Sequence, residues 1–237
     1  MAIAVARPTT AADSSQAQSP NRADNYLGAF VSPLTSKDWF AAAEGSYFTA
    51  ISPTPGTGVI GHPAPTSFDE AKPYFLVYNG SALNLYPQFL QLNETVASIG
   101  GTQVQFTQTI DAGNRYSSAG TAMTVNNTNM ASANSAALVL CYQGAVVGTA
   151  ASGSRRVIAN TVFRSGVIDI IRDQYQLVWG APDGTATTAS RVATVAEFSR
   201  VCPPVCVGPG QSLCLVQWAA AQSTGPTWEA LFGFILR

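Results

Sequence analysis

Charge is what this sequence has least of. Asp, Glu, Lys and Arg make up 11% of its 237 residues, against about 25% in an ordinary soluble domain. The formal net charge is −1, and nucleic-acid binders normally carry a basic face, so no nucleic-acid partner is expected. Histidine is nearly missing as well: His62, within Gly61-His62-Pro63, is the single imidazole. That excludes a metal site built on several imidazoles, and any Ser-His-Asp or Cys-His arrangement would have to use this loop residue. The Gly-x-Ser-x-Gly signature of a strained nucleophile turn is absent, as are phosphate loops and dinucleotide fingerprints. His62 therefore reads as a hydrogen-bonding loop residue.

Long apolar runs are lacking too. The start, Met1-Ala-Ile-Ala-Val-Ala-Arg7, is too soon interrupted for a signal-peptide core. The most apolar window, Ala136 to Ala151, is broken at Tyr142, Gln143 and Gly144 and falls short of the roughly 20 residues a spanning helix needs. No membrane partner is expected, and synthesis in the cytoplasm is. Two stretches hold no charged residue at all, Tyr116 to Ser154 and Val201 to Trp228. Interface cores are depleted in charge, and a surface of Ser, Thr, Asn and Gln does little to keep copies apart. Self-association is the expectation, with buried strands and neutral loops the plainer alternative.

What the chain does hold is strand periodicity. Residues 1–25 have no aromatic and few large apolar side chains, so they read as a flexible arm or one that orders on a partner. Residues 26–72 form a loop-rich segment, with a short helix expected from Ser36 to Ala43, Ser36 as its N-cap and Asp38 in its first turn. Its Pro- and Gly-rich stretch 51–66 predicts a long loop. Residues 73–237 carry the β core. Runs at Pro73–Asn79, Leu83–Phe89 (an edge or bulge, given Pro87), Thr102–Ile110, Ala137–Tyr142, Arg156–Phe163, Val167–Ile171, Tyr175–Trp179, Ser212–Trp218 and Trp228–Leu236 read as strands. In Thr102–Ile110, Val104, Phe106 and Ile110 face one way, while Gln103, Gln105, Thr107 and Thr109 make a solvated or interfacial face. Turn signals at Asp111–Asn114, Asn126–Asn129, Pro182–Gly184 and Gly208–Gly210 separate the runs. The expected fold is all-β, a jelly-roll-like antiparallel β-sandwich with an extended N-terminal arm.

Candidate chemistry is sparse. Cys202 and Cys206 have a spacing within the range of a zinc knuckle, but Cys214 and Cys141 supply no matching pair. The four thiols read as small buried hydrophobes, with a Cys202–Cys206 disulfide open in an oxidising medium. Of thirteen carboxylates, Asp69-Glu70 is the one adjacent pair, and Asp169 and Asp173 share a strand face. A glycosidase needs two acids facing a cleft, and Asp169, Asp173 and Glu197 read instead as surface groups. Asp111–Asn114 and Asn126–Asn129 lack the spacing of a calcium-binding EF-hand loop. Trp179 and Trp218 sit in core-like alternation, while Trp39 and Trp228 are open between core and surface. No catalytic, cofactor-binding or metal-binding residue is assigned, no cofactor is expected, and the chain reads as non-enzymatic.

A resemblance sharpens this. Gln211-Ser-Leu-Cys-Leu-Val-Gln-Trp218, a small-residue spacer and Thr227-Trp-Glu-Ala-Leu-Phe-Gly-Phe-Ile-Leu-Arg237 resemble the closing hairpin of head structural proteins of tailed bacteriophages. So do Asp111-Ala-Gly-Asn-Arg-Tyr-Ser-Ser-Ala-Gly120 with the Asn-rich turn at 126–129, and Gly45-Ser-Tyr-Phe-Thr-Ala50 with Pro53-Thr-Pro-Gly-Thr-Gly58. The ending here is more apolar than the acidic and aromatic one typical of them. The resemblance implies a cement or decoration protein of a phage capsid: a structural virion protein on the capsid surface, clamping neighbouring subunits of the major capsid protein as a homo-oligomer, dimer or trimer. A major capsid protein is the structural alternative, but the chain is short for one. The rival class is a carbohydrate- or receptor-binding β-sandwich module of fibre or spike type, which would place Trp39 or Trp228 with tyrosines on an open face.

Overall fold

The computed structural model describes residues 22–23, 29–30, 37–63, 67–96, 103–134, 138–165, 171–180, 190–192, 195–218 and 224–237. Residues 1–21 and 24–25 of the expected arm 1–25, the N-cap Ser36, residues 167–170 of the expected strand 167–171 with Asp169 among them, and the turn at 182–184 lie outside them. The chain divides into two compact units, Met1–Phe40 and Ala41–Arg237. The first contains a two-residue ladder, β1 (Arg22–Ala23) against β2 (Ala29–Phe30). The helix α1 spans Lys37–Ala43, with Asp38 in its first turn.

In chain order the second unit continues with β3 (Tyr47–Ile51), β4 (Val59–Ile60), β5 (Phe75–Asn79), β6 (Leu85–Val96), β7 (Gln103–Asp111) and β8 (Tyr116–Ala122). Then come β9 (Thr124–Asn127), β10 (Val139–Gly148), β11 (Arg156–Ser165), β12 (Gln174–Trp179) and β13 (Ser190–Val192). β14 (Val195–Cys202), β15 (Gln211–Trp218) and β16 (Thr227–Leu236) complete it. Two sheets form a sandwich. The smaller runs β11-β7-β15-β5-β10-β8, and the larger β13-β14-β12-β6-β16-β3-β9, with β4 added beside the start of β16. Pairing is antiparallel except between β12 and β14. The all-β sandwich expected from the strand period is therefore present, and α1 is the one α-helix among the described residues.

The core lies between the sheets, where β-branched and aromatic side chains alternate inward. Phe75, Val77, Phe106, Leu213 and Leu215 come from the smaller sheet, and Leu90, Leu92, Tyr175, Leu177, Trp228 and Phe232 from the larger. Trp228 is fully buried, with ring centroids 4.7 Å from Tyr74 and 5.5 Å from Phe106. Phe75 meets Phe232 across the sandwich at 5.0 Å.

Several expectations change. β6 is central rather than an edge, lying between β12 and β16, and Pro87 is accommodated by a bulge opposite Gly233/Phe234. The bulge reverses the phase of the strand, so Leu85 is buried while Phe89 is only half-buried on the outer face. The polar side of β7 is not solvated: Gln105, Thr107 and Thr109 are at most 5% exposed. Part of the predicted loop 51–66 is strand β4, and Asn126 and Asn127 belong to β9 before the turn that follows. Trp218 is not core. It is half-buried, and its Nε1 donates to Thr107 Oγ1 at 2.8 Å.

Candidate functional site

Charge is scarce, so where it is buried it is informative. At the end of β7, Asp111 is 3% exposed, and Arg115, across a tight turn, is 2% exposed. Arg115 Nη1 lies 3.2 Å from Asp111 Oδ2 and 3.8 Å from Glu70 Oε2, while its Nη2 donates to the Glu70 carbonyl at 3.1 Å. Arg155 Nη1 pairs with Glu70 Oε1 at 2.7 Å. Ser152 donates to Asp111 from its hydroxyl and, at 2.8 Å, from its backbone N–H. Burial alone would raise the Asp111 pKa. The Ser152 donors and the Arg115 guanidinium outweigh it and hold the carboxyl below the usual range. Ser212 Oγ accepts from Arg115 N at 3.0 Å and donates to Gly113 O at 2.8 Å. The cluster thus fastens residues 69–72, the β7–β8 turn and the 149–155 loop to one end of the smaller sheet.

Beside it lies a pocket of about 220 Å³, with Ile110 and Ala112 in its wall and Asp111, Ser154, Arg156, Cys206 and Gln211 around them. Asp111 is already engaged with Ser152 and Arg115, so it is not free to act as a base there. Cys206 is exposed, whereas Cys141, Cys202 and Cys214 are buried and all four are free thiols. Burial pushes the Cys214 thiol up to about 12 and raises Cys141 and Cys202 as well. Cys202 takes a 2.8 Å hydrogen bond from Gln108 Nε2 inside the core. Among the described residues, no group of three or more His, Cys, Asp or Glu is placed to hold a metal ion. The His62 ring contacts Val146 O at 2.9 Å. A carbonyl only accepts, so Nε2 is the donor there and the ring ties its loop to β10.

Asp173, which the sequence reads as a surface group, is buried, and its neighbour is Glu94, which the sequence reading passed over. Glu94 and Asp173 are 1% and 0% exposed, and Glu94 N donates to Asp173 O at 2.9 Å, which makes them cross-strand neighbours on β6 and beside β12. Arg172 precedes Asp173 with φ of 79°, a strained value for a non-glycine residue. The signal was present in Leu90, Leu92, Glu94, an inward-facing period that ends on a carboxylate. Its partner across the sheet could not be read from the chain. Both acids are enclosed, so they are not surface groups. Asp169 lies outside the described residues, as does the Glu197 side chain.

Two open surfaces are rich in uncharged side chains. On the outer face of the larger sheet, Gln91 Nε2 and Gln174 Nε2 both donate to Asn93 Oδ1 at 3.1 Å, and Gln176 pairs with Gln91 in register. At the end of the smaller sheet, β8 is an edge strand without a charged residue, and Ser117, Ser118, Ala119 and Gly120 are exposed. On β10 and just before it, Leu140 and Leu138 are 38% and 59% exposed, and Met130, after β9, is 97% exposed. Trp39 is 71% exposed. Trp228 is wholly buried, so it offers no ring to a ligand. The chain matches no family model, no curated protein and no solved structure in comparisons with all three.

Proposed function

We propose that the chain is a structural virion protein, a cement or decoration protein on the outside of a phage capsid. In this reading it self-associates as a dimer or trimer, clamps neighbouring subunits of the major capsid protein and performs no catalysis. The observation that carries the reading is the uncharged edge strand β8 with exposed Leu138, Leu140 and Met130, all inside the neutral stretch Tyr116–Ser154. Natural edge strands usually carry charge, proline or a covering element to prevent pairing. An uncharged edge, with apolar Leu138 and Leu140 exposed at the near end of β10, favours association. A capsid offers many equivalent sites, so modest contacts summed over an oligomer hold firmly. A jelly-roll path fits the way consecutive strands change sheet, from β5 to β6 to β7 and from β14 to β15 to β16.

The test is removal. Stripping the chain from purified particles should lower the temperature at which genome is released, and adding it back should restore that temperature. Particles of unchanged stability after complete stripping would contradict the clamp.

A second reading rests on the Gln91–Asn93–Gln174 amides and on exposed Trp39. Amides offer donors and acceptors to sugar hydroxyls without charge. On this reading the chain is a carbohydrate- or receptor-binding module, and a glycan array, with tryptophan quenching as titration, separates it from the first.

A further inference from the structure

The outer side of the smaller sheet carries a small aromatic cluster. Leu76, Val146 and Cys214 form its buried floor, and Tyr78, Tyr116 and Tyr142 pack against them half-buried. Two of these rings stand in an unusual relation. Tyr116 and Tyr142 stack with centroids 3.9 Å apart and planes 8° from parallel. Most aromatic pairs in proteins sit 4.5–7 Å apart, offset or edge-on.

Bulges in the ladder bring the rings together. Tyr142 pairs with Ala122, whereas Tyr116 pairs with Gly148, far along the same two strands. The register shifts twice between these points, and Ala119, Gly120 and Gly144 all have positive φ. The bent strands let the Tyr116 ring fold back onto that of Tyr142.

We infer that Tyr116 and Tyr142 form a dityrosine site, a pair held for oxidative cross-linking of the edge strand β8 to β10. The co-reactant is a one-electron oxidant of the peroxidase–peroxide class. Each phenol loses one electron and one proton, giving two phenoxyl radicals. The radicals couple between ring carbons ortho to oxygen, and each coupled carbon then loses its hydrogen to the phenol oxygen as the rings regain aromaticity. One C–C bond forms, two hydrogens leave in total, and one hydrogen peroxide is reduced to two waters. Stacking supplies the encounter that free tyrosines must find by diffusion. Partial exposure admits the oxidant or its radical mediator. The consequence is a covalent bridge across a strand pair whose ladder the bulges interrupt. The inference rests on the ring geometry and stands whether or not the chain belongs to a capsid.

The test is to treat the purified full chain with peroxidase and hydrogen peroxide at low protein concentration. The expected product is a monomer lighter by two hydrogens, with dityrosine fluorescence and a cross-linked peptide joining Tyr116 to Tyr142. Tyr116→Phe and Tyr142→Phe, which keep the stacked ring, should each abolish that product. Tyr78→Phe, in the same cluster but outside the stack, should leave it intact. Bridges found only between chains, only at other tyrosines, or unchanged in both stack variants would overturn the assignment. Peptide mapping of the unsubstituted chain gives the answer even where a variant folds poorly.

Discussion

A guanidinium as deeply buried as that of Arg115 is stable only while its carboxylate partners stay ionised. Breaking such a pair leaves an uncompensated buried charge, so Asp111→Ala should cost about 3–5 kcal/mol in urea denaturation. Replacing Asp111 and Arg115 together with apolar residues of similar volume should cost clearly less. The Asp111 pKa is depressed in the folded state, so its stabilisation is complete at neutral pH. It is lost as pH falls through the ordinary carboxylate range and on through the lower folded value. Denaturation midpoints followed into acid should therefore fall more steeply for the native sequence than for Asp111→Asn. Thiol chemistry gives another prediction at this scale. In the native protein a mild thiol reagent should modify Cys206 quickly and Cys141, Cys202 and Cys214 only after denaturant is added, because burial keeps those three protonated and covered. Mass spectrometry of the labelled peptides reads both outcomes.

At the scale of elements, glycines with positive φ shape the two edge-proximal strands. Gly144 has φ of 89°, and a Cβ there would strike Val59 and come within 2.9 Å of the Ile60 carbonyl. Gly144→Ala should destabilise the sandwich by roughly 1–3 kcal/mol, read as a shift in thermal midpoint. β8 is the element to which association is assigned. Ser118 is exposed there, so Ser118→Lys should reduce oligomer mass in light scattering while leaving the circular dichroism unchanged. These same elements mark where the sequence was legible. Phe75–Asn79 was readable as a compact β-branched and aromatic run, and Thr227–Leu236 because Trp228, Phe232 and Phe234 recur at even spacing on the inward face. β8, Tyr-Ser-Ser-Ala-Gly-Thr-Ala, carries no such alternation, since both its faces are largely open, and it was missed as a strand. In β6, Pro87 marked an edge or a bulge, and the bulge is what forms, flipping every later side chain by one face. Trp218 followed a core-like period in β15, yet Leu213 and Leu215 point inward and Trp218 falls on the opposite phase. The charged cluster was invisible for a different reason: Glu70, Asp111, Ser152 and Ser212 are far apart in the chain and meet only through sheet pairing.

At the scale of the whole molecule, low charge and a sandwich with a neutral edge describe a protein that tolerates its own kind at close range. A net charge of −1 gives little long-range repulsion, so assembly should depend weakly on salt and mainly on apolar contact at Leu138, Leu140 and Met130. The covalent strand bridge and the capsid role are independent: either can fail without the other. The central claim is residence on a particle. The most direct measurement is quantitative mass spectrometry of purified phage particles, comparing copies of this chain with copies of the major capsid protein. The account predicts a fixed ratio that survives repeated purification. Absence of the chain from the particles, or a ratio that falls away with each wash, would contradict it.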